Sequence, residues 1–427
     1  MERKEFTEIL KAEMDYATGC TEPAAIALCG AYAKEYLDED IERMEVFAST
    51  NIIKNAMSAG IPGTDRTGIS YAAAIGAAAG KSANRLKVLD DVDEKQREKA
   101  IALVDEGSCK VYKKDDVDKL YIEIILHGLS HSSKAIIKGG HTRLVYASRD
   151  DETVIDVDDD NHEDKSCGCA AKKNLTIENI LEFVEGINDD DDLDVIKDAI
   201  MINSEIAKNG LENAYNLSVG RNVEEMREKG MIGDGVILDI IKNTAAGIDA
   251  RMAGANYPVV TNSGSGNQGI TCTIPVLSYG RYIDASEEEI LKAVTLSHLM
   301  CIYIHCNFGL LSALCGAVIA SSAASCGIIY LMKGGAKEMG YAINNMLGTL
   351  SGMLCDGAKP DCAMKVSACT SNACLSAYLA MKGIEIKSNE GIVEDDAKKT
   401  ISNFVKISDD ASKVLDDSIL EIMLNKD

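Results

Sequence analysis

One long segment of the chain carries no charged side chain. No Asp, Glu, Lys or Arg occurs between Lys292 and Lys333, although the segment contains His298, His305, Asn307 and a run of serines. An uncharged segment of this length could cross a membrane. However, it has no aromatic belt, and no second segment of this kind exists. Because helices packed at the centre of a soluble domain show the same pattern, we predict a buried helical core here and no membrane association.

The composition restricts both the core and the partners. The chain has no Trp and only five Phe, so its core must be built from small aliphatic residues, which favours helices that approach closely. The 44 Lys and Arg residues face 68 Asp and Glu residues, and the formal charge of −24 repels nucleic acid and anionic membranes. We therefore expect a small-molecule substrate and no nucleic-acid partner.

The cysteines raise the question of the compartment. The N-terminal sequence MERKEFTEIL is charged and lacks the apolar region of a signal peptide, so we expect a cytoplasmic protein. Cytoplasmic cysteines are mostly reduced, and the 14 cysteines therefore indicate catalysis or metal binding before disulfides. Cys167 and Cys169 form a C-x-C pair in an acidic segment. Two cysteines alone cannot complete a four-ligand site, so we interpret this pair as incidental.

The pattern of the chain predicts an α+β fold in three parts. Residues 1–150 should form a mixed domain with a small antiparallel sheet, 151–174 an acidic insertion or linker, and 175–427 a larger all-α domain. In the first part we expect helices at 5–16, 21–37 and 70–80, a β-segment at 43–53 and an antiparallel meander at 109–148. In the last part we expect helices at 176–186, 193–208, 210–218, 222–247, 286–308, 310–332, 335–354, 362–382 and 393–424.

Cysteines are dense in the helical part, where nine occur from Cys272 to Cys374. Most should pack as core residues between small-residue helices. Cys315 stands out in ALCGAV, and Cys355 and Cys362 stand out in GMLCDGAKPDCAMK, where Asp-Gly and Pro interrupt a helix. Thiolates at turns and helix ends suit an iron–sulfur cluster, because backbone N–H groups can reach the sulfurs. On spacing alone, structural thiols remain the favoured interpretation.

A glycine-rich stretch, VVTNSGSGNQGIT, occupies residues 259–271. Alternating glycines and serines let backbone N–H groups converge on an anion such as a carboxylate or a phosphate. A flexible turn between helices is the alternative. We favour binding, because side-chain donors and acceptors alternate with the glycines between two apolar runs; these polar residues are Asn262, Ser263, Ser265, Asn267 and Gln268.

Four further polar residues are candidates for substrate contacts. Lys54 and Asn55 end the predicted β-segment before a Gly/Pro turn, which is a usual place for such contacts, although a solvated lysine is the alternative. Arg251 stands among small apolar residues in GIDARMAG, and a buried arginine needs an acidic partner from the protein or from a substrate. His305 lies in the charge-free segment, where a core histidine is favoured and a site role stays open.

Cys20 directly precedes a predicted helix in the sequence GCTEP. If Thr21 caps this helix, the thiol lies just outside its positive end, where its pKa should fall and the thiolate should be favoured. A thiolate can act as nucleophile, base or ligand. A buried apolar thiol is the alternative.

Together, these motifs make the chain similar to the L-cysteine desulfidases, which are related to the iron–sulfur L-serine dehydratases. The similarity spans nearly the whole chain apart from the acidic insertion, and it rests on GCTEP (19–23), KNAMSAGIPGT (54–64), DARMAG (249–254), TNSGSGNQGI (261–270), ALCGAV (313–318) and CDGAKPDCAMKV (355–366). This resemblance implies a PLP-independent enzyme with a [4Fe–4S] cluster that has one open iron. The implied ligands are Cys315, Cys355 and Cys362. The related serine dehydratases space their last two ligand cysteines more widely. Cys326 or Cys272 therefore stays an alternative candidate for one of the three ligand positions.

The resemblance also implies the chemistry. The open iron acts as a Lewis acid on the β-substituent of L-cysteine, and Cys20 removes the Cα proton as a thiolate base. The products are sulfide, pyruvate and ammonia. The implied substrate is a small amino acid. The oligomeric state stays open, with a homodimer as one candidate. The candidate substrate-binding residues are Asn51, Lys54, Asn55, Arg251, Asn262, Ser263, Ser265, Asn267, Gln268 and His305.

Three alternatives stay open at this point. The first is the elimination of water from L-serine. The second is a PLP-dependent β-eliminating enzyme, since SGSGNQG resembles the Ser-Gly-Asn-x-Gly loop of that class; however, the nearest upstream lysine, Lys242, lies in a helical pattern and no glycine tetrad occurs. The third is a non-catalytic, cysteine-rich redox or metal sensor, which would need neither an anion-binding loop nor a cysteine at a helix start.

Overall fold

The computed structural model describes residues 1–150, 152–157, 169–306, 308 and 311–426, with the side chains of 169 and 170 left out. Cys167 and the side chain of Cys169 therefore lie outside the described residues. The helices of these ranges are α1 (Arg3–Glu13), α2 (Thr21–Glu35), α3 (Thr50–Ala56), α4 (Ile69–Ala79), α5 (Glu94–Asp105), α6 (Cys169–Lys172), α7 (Ile177–Glu185), α8 (Asp194–Glu212), α9 (Val219–Glu228), α10 (Val236–Met252), α11 (Gly266–Tyr282), α12 (Glu287–His305), α13 (Gly316–Leu331), α14 (Ala336–Leu350), α15 (Cys362–Met381) and α16 (Ala397–Leu424). The strands are β1 (Tyr16–Thr18), β2 (Arg43–Ala48), β3 (Cys109–Lys113), β4 (Tyr121–His127), β5 (Ser132–Lys138), β6 (Leu144–Arg149), β7 (Glu152–Asp156) and β8 (Pro258–Val260).

The charge-free segment folds as two core helices, α12 and α13, which pack against each other. Nearly every side chain of α13 is buried. No helix in the described part of the chain is both long enough and apolar enough to span a membrane. The α+β prediction is confirmed, because the helices of this core accompany a separate six-stranded sheet.

The sheet has the strand order β3-β2-β4-β5-β6-β7. The predicted antiparallel meander is correct for β4, β5 and β6, which pair in sequence. It is wrong for β3, which pairs in parallel with β2 and lies at the opposite edge. A parallel pair needs a crossover, and the helices between β2 and β3 supply it. Residues 152–156, at the start of the predicted insertion or linker, form an exposed edge strand, because they contain β-forming Thr, Val and Ile.

Helix α2 crosses one face of this sheet. The Ser133 Oγ of β5 donates to the Ala33 carbonyl at 2.7 Å, and the Cys29 thiol donates to the Ala135 carbonyl at 3.4 Å. Later residues of β5 therefore lie beside earlier residues of α2, so the two elements run in opposite directions. The hairpin that follows β5 consequently reaches the start of α2, where Cys20 lies.

Several predicted element boundaries are wrong for local reasons. The β-segment predicted at 43–53 ends at Ala48, because Ser49 caps α3 by accepting a hydrogen bond from the Ile52 amide at 3.4 Å. The helix predicted at 222–247 is interrupted between α9 and α10, where Gly230 and Gly235 adopt positive φ. Helices α5 and α11 were not predicted, and α8 continues through the break expected near 209.

The N-terminal segment joins the helical part at several places. Strand β1 pairs antiparallel with β8, which matches Tyr16 with Val260. Phe6 of α1 stacks on Phe183 of α7 with ring centroids 4.5 Å apart, and α16 packs against α3. The boundaries at 150 and 175 remain a prediction. These contacts bring Cys20, directly after β1, to the loop that follows β8.

Candidate active site

Three partly exposed cysteines converge from two chain segments. The Cys315 amide donates to the Met353 carbonyl at 2.9 Å, and the Cys355 amide donates to the Ala313 carbonyl at 2.8 Å, so the segments around both cysteines run antiparallel. Cys315 directly precedes α13, and Cys362 begins α15. The positive ends of both helices therefore face this group of thiols.

The thiols of this group influence one another. Burial raises the pKa of Cys315 well above its usual value, and the neighbouring Cys355, Cys362 and Cys369 raise it further. Burial also raises the pKa of Cys362 to about 12, and Cys355 and Cys20 act in the same direction. Cys20 therefore lies near Cys362, which is one of the three cysteines that the family resemblance named.

A short hydrogen-bonded loop holds these cysteines. The Asp356 carboxylate accepts hydrogen bonds from Lys359 and Lys365, and the Lys365 ammonium also donates to the Leu354 carbonyl at 2.9 Å. Burial raises the pKa of Cys369 to about 12 against the opposing charge of Lys365. The ammonium group of Lys365 therefore lies close enough to stabilise thiolates in this group.

The donors at this site are three thiols from two chain segments. Among the described residues, no three His, Cys, Asp or Glu side chains gather closely enough to hold one metal ion. In a [4Fe–4S] cluster each thiolate binds a different iron, so its ligands are spaced more widely than those of a single ion. Cys315, Cys355 and Cys362 remain the predicted ligands of such a cluster. The two open alternatives lie elsewhere, since Cys326 donates to the Ser322 carbonyl within α13 and Cys272 is buried beside Cys301.

Cys20 is the N-cap residue of α2 and is only 1% exposed. Thr21 does not cap the helix, because it is the first helical residue and its hydroxyl donates to Glu22 at 2.9 Å. The predicted fall in the pKa of Cys20 is wrong: burial raises that pKa to about 11, Arg251 opposes the shift and Glu22 adds to it. Desolvation of the thiolate outweighs the helix terminus at this depth.

Arg251 is a buried cation without a protein carboxylate. It is 3% exposed, its Nη1 donates to Asn267 Oδ1 at 2.8 Å, and its buried Nε has no partner. In the described part of the chain, no Asp or Glu forms an ion pair with it, and the nearby Asp249 accepts from the Gly220 amide instead. A buried guanidinium needs a counter-charge. The geometry is therefore suited to an anionic ligand that reaches Arg251.

The glycine-rich stretch forms β8, a tight turn and the first turn of α11. Ser263 and Gly264 adopt positive φ, and Ser265 caps α11 by accepting from the Gln268 amide at 3.4 Å. The Ser263 hydroxyl donates to Asn262 Oδ1 at 2.9 Å, and Gln268 Oε1 accepts from the Cys301 thiol at 3.7 Å. These contacts fix the loop, and only Asn267 among the five polar candidates contacts Arg251 in the described structure.

His298 of α12 forms hydrogen bonds with this loop and with α11. Its Nδ1 accepts from Asn262 Nδ2 at 3.0 Å, so its Nε2 carries the hydrogen and donates to Thr273 Oγ1 at 3.0 Å. Burial lowers the pKa of His298 to about 3 and keeps it neutral. The core interpretation fits His298, and its local sequence carries no sign of the partner Thr273. His305 ends α12, and burial lowers its pKa to about 4, with a smaller contribution from Lys172.

Asn51 and Lys54 of α3 lie next to the Cys355 loop, which is the segment 351–361 between α14 and α15. Both bind Asp416 of α16: Lys54 Nζ contacts Oδ1 at 2.6 Å, and Asn51 Nδ2 donates to Oδ2 at 2.8 Å. Lys54 also donates to the Cys355 carbonyl at 2.9 Å. Sequence reasoning missed Asp416, because one acidic residue of an amphipathic helix carries no sign of its distant partner. Asn55 Nδ2 donates to Glu22 Oε1 at 3.0 Å, which joins α3 to the start of α2.

The ion pair between Lys54 and Asp416 predicts a large effect on stability. Both side chains are almost fully buried, at 0% and 4% exposure, so Lys54→Met should lower the free energy of unfolding by about 3–5 kcal/mol by leaving a buried carboxylate unpaired. The matched control is Lys113→Met, which removes an exposed pair with Asp417 and should lower it by about 0–1 kcal/mol. Chemical denaturation compares the two variants. Equal losses in the free energy of unfolding of both variants would contradict a stabilising role of the buried ion pair between Lys54 and Asp416.

Comparison with known proteins identifies the family. A family model described as the serine dehydratase alpha chain matches residues 83–421. The chain belongs to the serine dehydratase alpha-chain family. This family depends in general on iron–sulfur chemistry, so the chain is an iron–sulfur serine dehydratase-like protein and the predicted relation is confirmed. The matched range includes Arg251 and all three cluster candidates, whereas Cys20 lies before it.

Relatives of this serine dehydratase-like chain extend over its whole length. A UPF0597 protein from Bacteroides thetaiotaomicron is 40% identical over 426 residues, which covers 100% of this chain and 98% of the relative. A UPF0597 protein from Oleidesulfovibrio alaskensis is 41% identical and covers 99% and 98% of the two chains. A UPF0597 protein from Porphyromonas gingivalis is 41% identical and covers 98% and 97%. The N-terminal part that carries Cys20 is therefore common to these relatives.

The family favours the iron–sulfur alternative over the PLP alternative. Lys242, the nearest lysine upstream of the glycine-rich loop, forms ion pairs with Glu224 at 3.1 Å and with Asp239 at 3.2 Å. The loop itself follows a two-stranded antiparallel pair and begins a helix, instead of ending a strand of a parallel sheet. The PLP-dependent class requires a lysine that forms a Schiff base and a loop at the end of a strand in a parallel sheet. Both observations differ from these requirements.

Proposed function

We propose that the protein is a [4Fe–4S]-dependent, PLP-independent L-cysteine desulfidase, which converts L-cysteine and water to sulfide, pyruvate and ammonia. The observation that supports this best is the position of Cys20. Its thiol lies close enough to Cys362 to affect the pKa of that ligand candidate, and it is also close to Arg251. A potential base, a potential carboxylate-binding cation and three potential cluster ligands therefore share one site.

The protein groups take defined roles in this proposal. Arg251 binds the substrate carboxylate through its unpartnered Nε, and Asn267 holds the guanidinium in place. Cys315, Cys355 and Cys362 would hold the cluster, which supplies a Lewis acid for the departing sulfur when it is bound. Cys20, as the thiolate, takes the Cα proton. Burial disfavours this thiolate, and Arg251 favours it.

The elimination balances in three steps. The electron pair of the Cα–H bond forms a Cα=Cβ double bond as Cys20 takes the proton, and the Cβ–S bond breaks with both electrons on the departing sulfide. The resulting aminoacrylate tautomerises to an imine. Water hydrolyses the imine to pyruvate and ammonia.

A second candidate function is the elimination of water from L-serine, which the family match favours. The same residues would serve both substrates, since the carboxylate and the Cα proton are common to them. A soft thiolate leaving group suits iron better than a hydroxide, and this difference favours cysteine.

The deciding experiment is anaerobic reconstitution with iron and sulfide, removal of excess sulfide, and assays on both amino acids. We expect the reconstituted protein to release equal amounts of sulfide and pyruvate from L-cysteine, and to release pyruvate from L-serine more slowly. Faster turnover of L-serine would support the second candidate. No pyruvate from either amino acid, with a fully formed cluster, would overturn both.

A further inference from the structure

Two buried side chains near Glu22 carry polar atoms that have no hydrogen-bond partner among the described residues. Asn55 is 8% exposed and His141 is 9% exposed. Neither Asn55 Oδ1 nor His141 Nε2 has a partner in the described structure. Buried polar atoms are almost always paired, because leaving one unpaired is costly. Two such atoms at one place indicate a missing donor.

Glu22 fixes the orientation of the first acceptor. Asn55 Nδ2 donates to Glu22 Oε1 at 3.0 Å, so the carboxylate determines which end of the amide is the donor. The Asn55 oxygen therefore remains free as an acceptor. Glu22 Oε2 accepts from the Thr21 hydroxyl at 2.9 Å, and no Lys or Arg of the described chain forms an ion pair with this carboxylate. Glu22 is consequently a negative charge without a protein cation.

The fold brings His141 to the same place. Because α2 and β5 run in opposite directions, the hairpin at 139–143 lies at the end of α2 that carries Glu22. Burial lowers the pKa of His141, and the Glu22 carboxylate counters this shift, as expected for close neighbours. A neutral imidazole can accept a hydrogen bond at the nitrogen that carries no proton.

The Glu22 carboxylate, Asn55 Oδ1 and, when Nδ1 carries the proton, His141 Nε2 therefore offer three acceptors at this end of α2, and one of them is charged. An α-ammonium group has three N–H donors and one positive charge, which matches this set. Arg251, which also lies close to Cys20, offers a carboxylate a donor that has no partner among the described residues. We propose that Glu22, Asn55 and His141 form the subsite that binds the substrate's ammonium group, with Arg251 holding the carboxylate and the Cα–H directed at Cys20. This inference rests on the proposed function only in that the ligand is an α-amino acid.

The test compares two small ligands that cannot be eliminated, L-alanine and propanoate, which differ in the amino group. Calorimetric titration of the cluster-loaded protein should show L-alanine binding at least about tenfold more tightly than propanoate. His141→Leu and Glu22→Gln should each reduce this preference by about tenfold. His141→Gln, whose amide oxygen can still accept, should retain it within about threefold.

The control is His131→Leu, since this exposed histidine lies on the hairpin at the other end of β5 and bonds Asp150. It should leave the preference unchanged. Equal weakening of both ligands in the His141 and Glu22 variants would indicate a merely structural role, and an unchanged preference would show that water satisfies these acceptors; either result overturns the subsite. Binding needs no turnover, so a wild-type protein that prefers L-alanine but releases no sulfide from L-cysteine would contradict the proposed function alone.

Discussion

Replacing Cys20 by alanine is expected to lower the turnover of L-cysteine by about 10²–10⁴-fold, which is the usual contribution of a positioned general base. The cluster absorption should remain, because the proposed cluster ligands are all supplied by the start of α13, the Cys355 loop and α15. Anaerobic assays of sulfide and pyruvate, together with the visible spectrum, measure both properties on the same sample.

The matched control for this variant is Cys29→Ala on the same helix. Cys29 is equally buried, but its thiol contacts the backbone of the sheet. This variant should lose some stability and keep its turnover per folded protein. A fully active Cys20→Ala enzyme would contradict the role of base. A Cys20→Ala protein that cannot form the cluster would make Cys20 a ligand instead.

Replacing Cys355 or Cys362 by alanine is expected to remove the cluster and, with it, essentially all turnover. The loss should appear as a fall in bound iron and in visible absorption after anaerobic reconstitution, since two thiolates alone do not retain a cluster of this kind. The fold should persist, because both side chains are partly exposed and lie in a loop and at the start of a helix.

Cys369 supplies the informative control, because it also lies near Cys315 but is buried and faces the Met353 sulfur at 3.5 Å. Cys369→Ala should retain iron, absorption and turnover. If Cys369→Ala loses the cluster and Cys362→Ala retains it, Cys369 is the ligand and Cys362 is not.

Sequence reasoning succeeded where the determinants are local. The start of α2 at Thr21 and of α15 at Cys362 agree with the predicted starts, because Glu22 and Pro23 suit a first helical turn and Pro360 interrupts the chain before Cys362. The charge-free segment indicated a buried helical core, since no other environment except a membrane suits it. The motifs around Cys315 and Cys355 are sufficient to indicate the family, because each of them is a continuous stretch of the chain.

Sequence reasoning failed where a property depends on the burial of a side chain or on partners that are distant in the chain. The pKa of Cys20 was predicted from a helix end, whereas burial beneath several elements determines it. The partner of Lys54, Asp416 on the last helix, was not predicted. Glu22 and His141 carried no local sign of their proximity, because only the packing of α2 on β5 brings them together.

The pairing of β1 with β8 has a consequence for the order in which the protein assembles. This short ladder joins Tyr16 to Val260, so the chain between them must close as one long loop before the pairing can form. Contacts of such long range form slowly, because the cost of closing the loop comes before them. Cys20 and the loop at 261–266 therefore come together late in folding, and they separate early on partial unfolding, while the helical core of α12 and α13 still persists. Heat or denaturant should consequently remove activity before it removes helical structure.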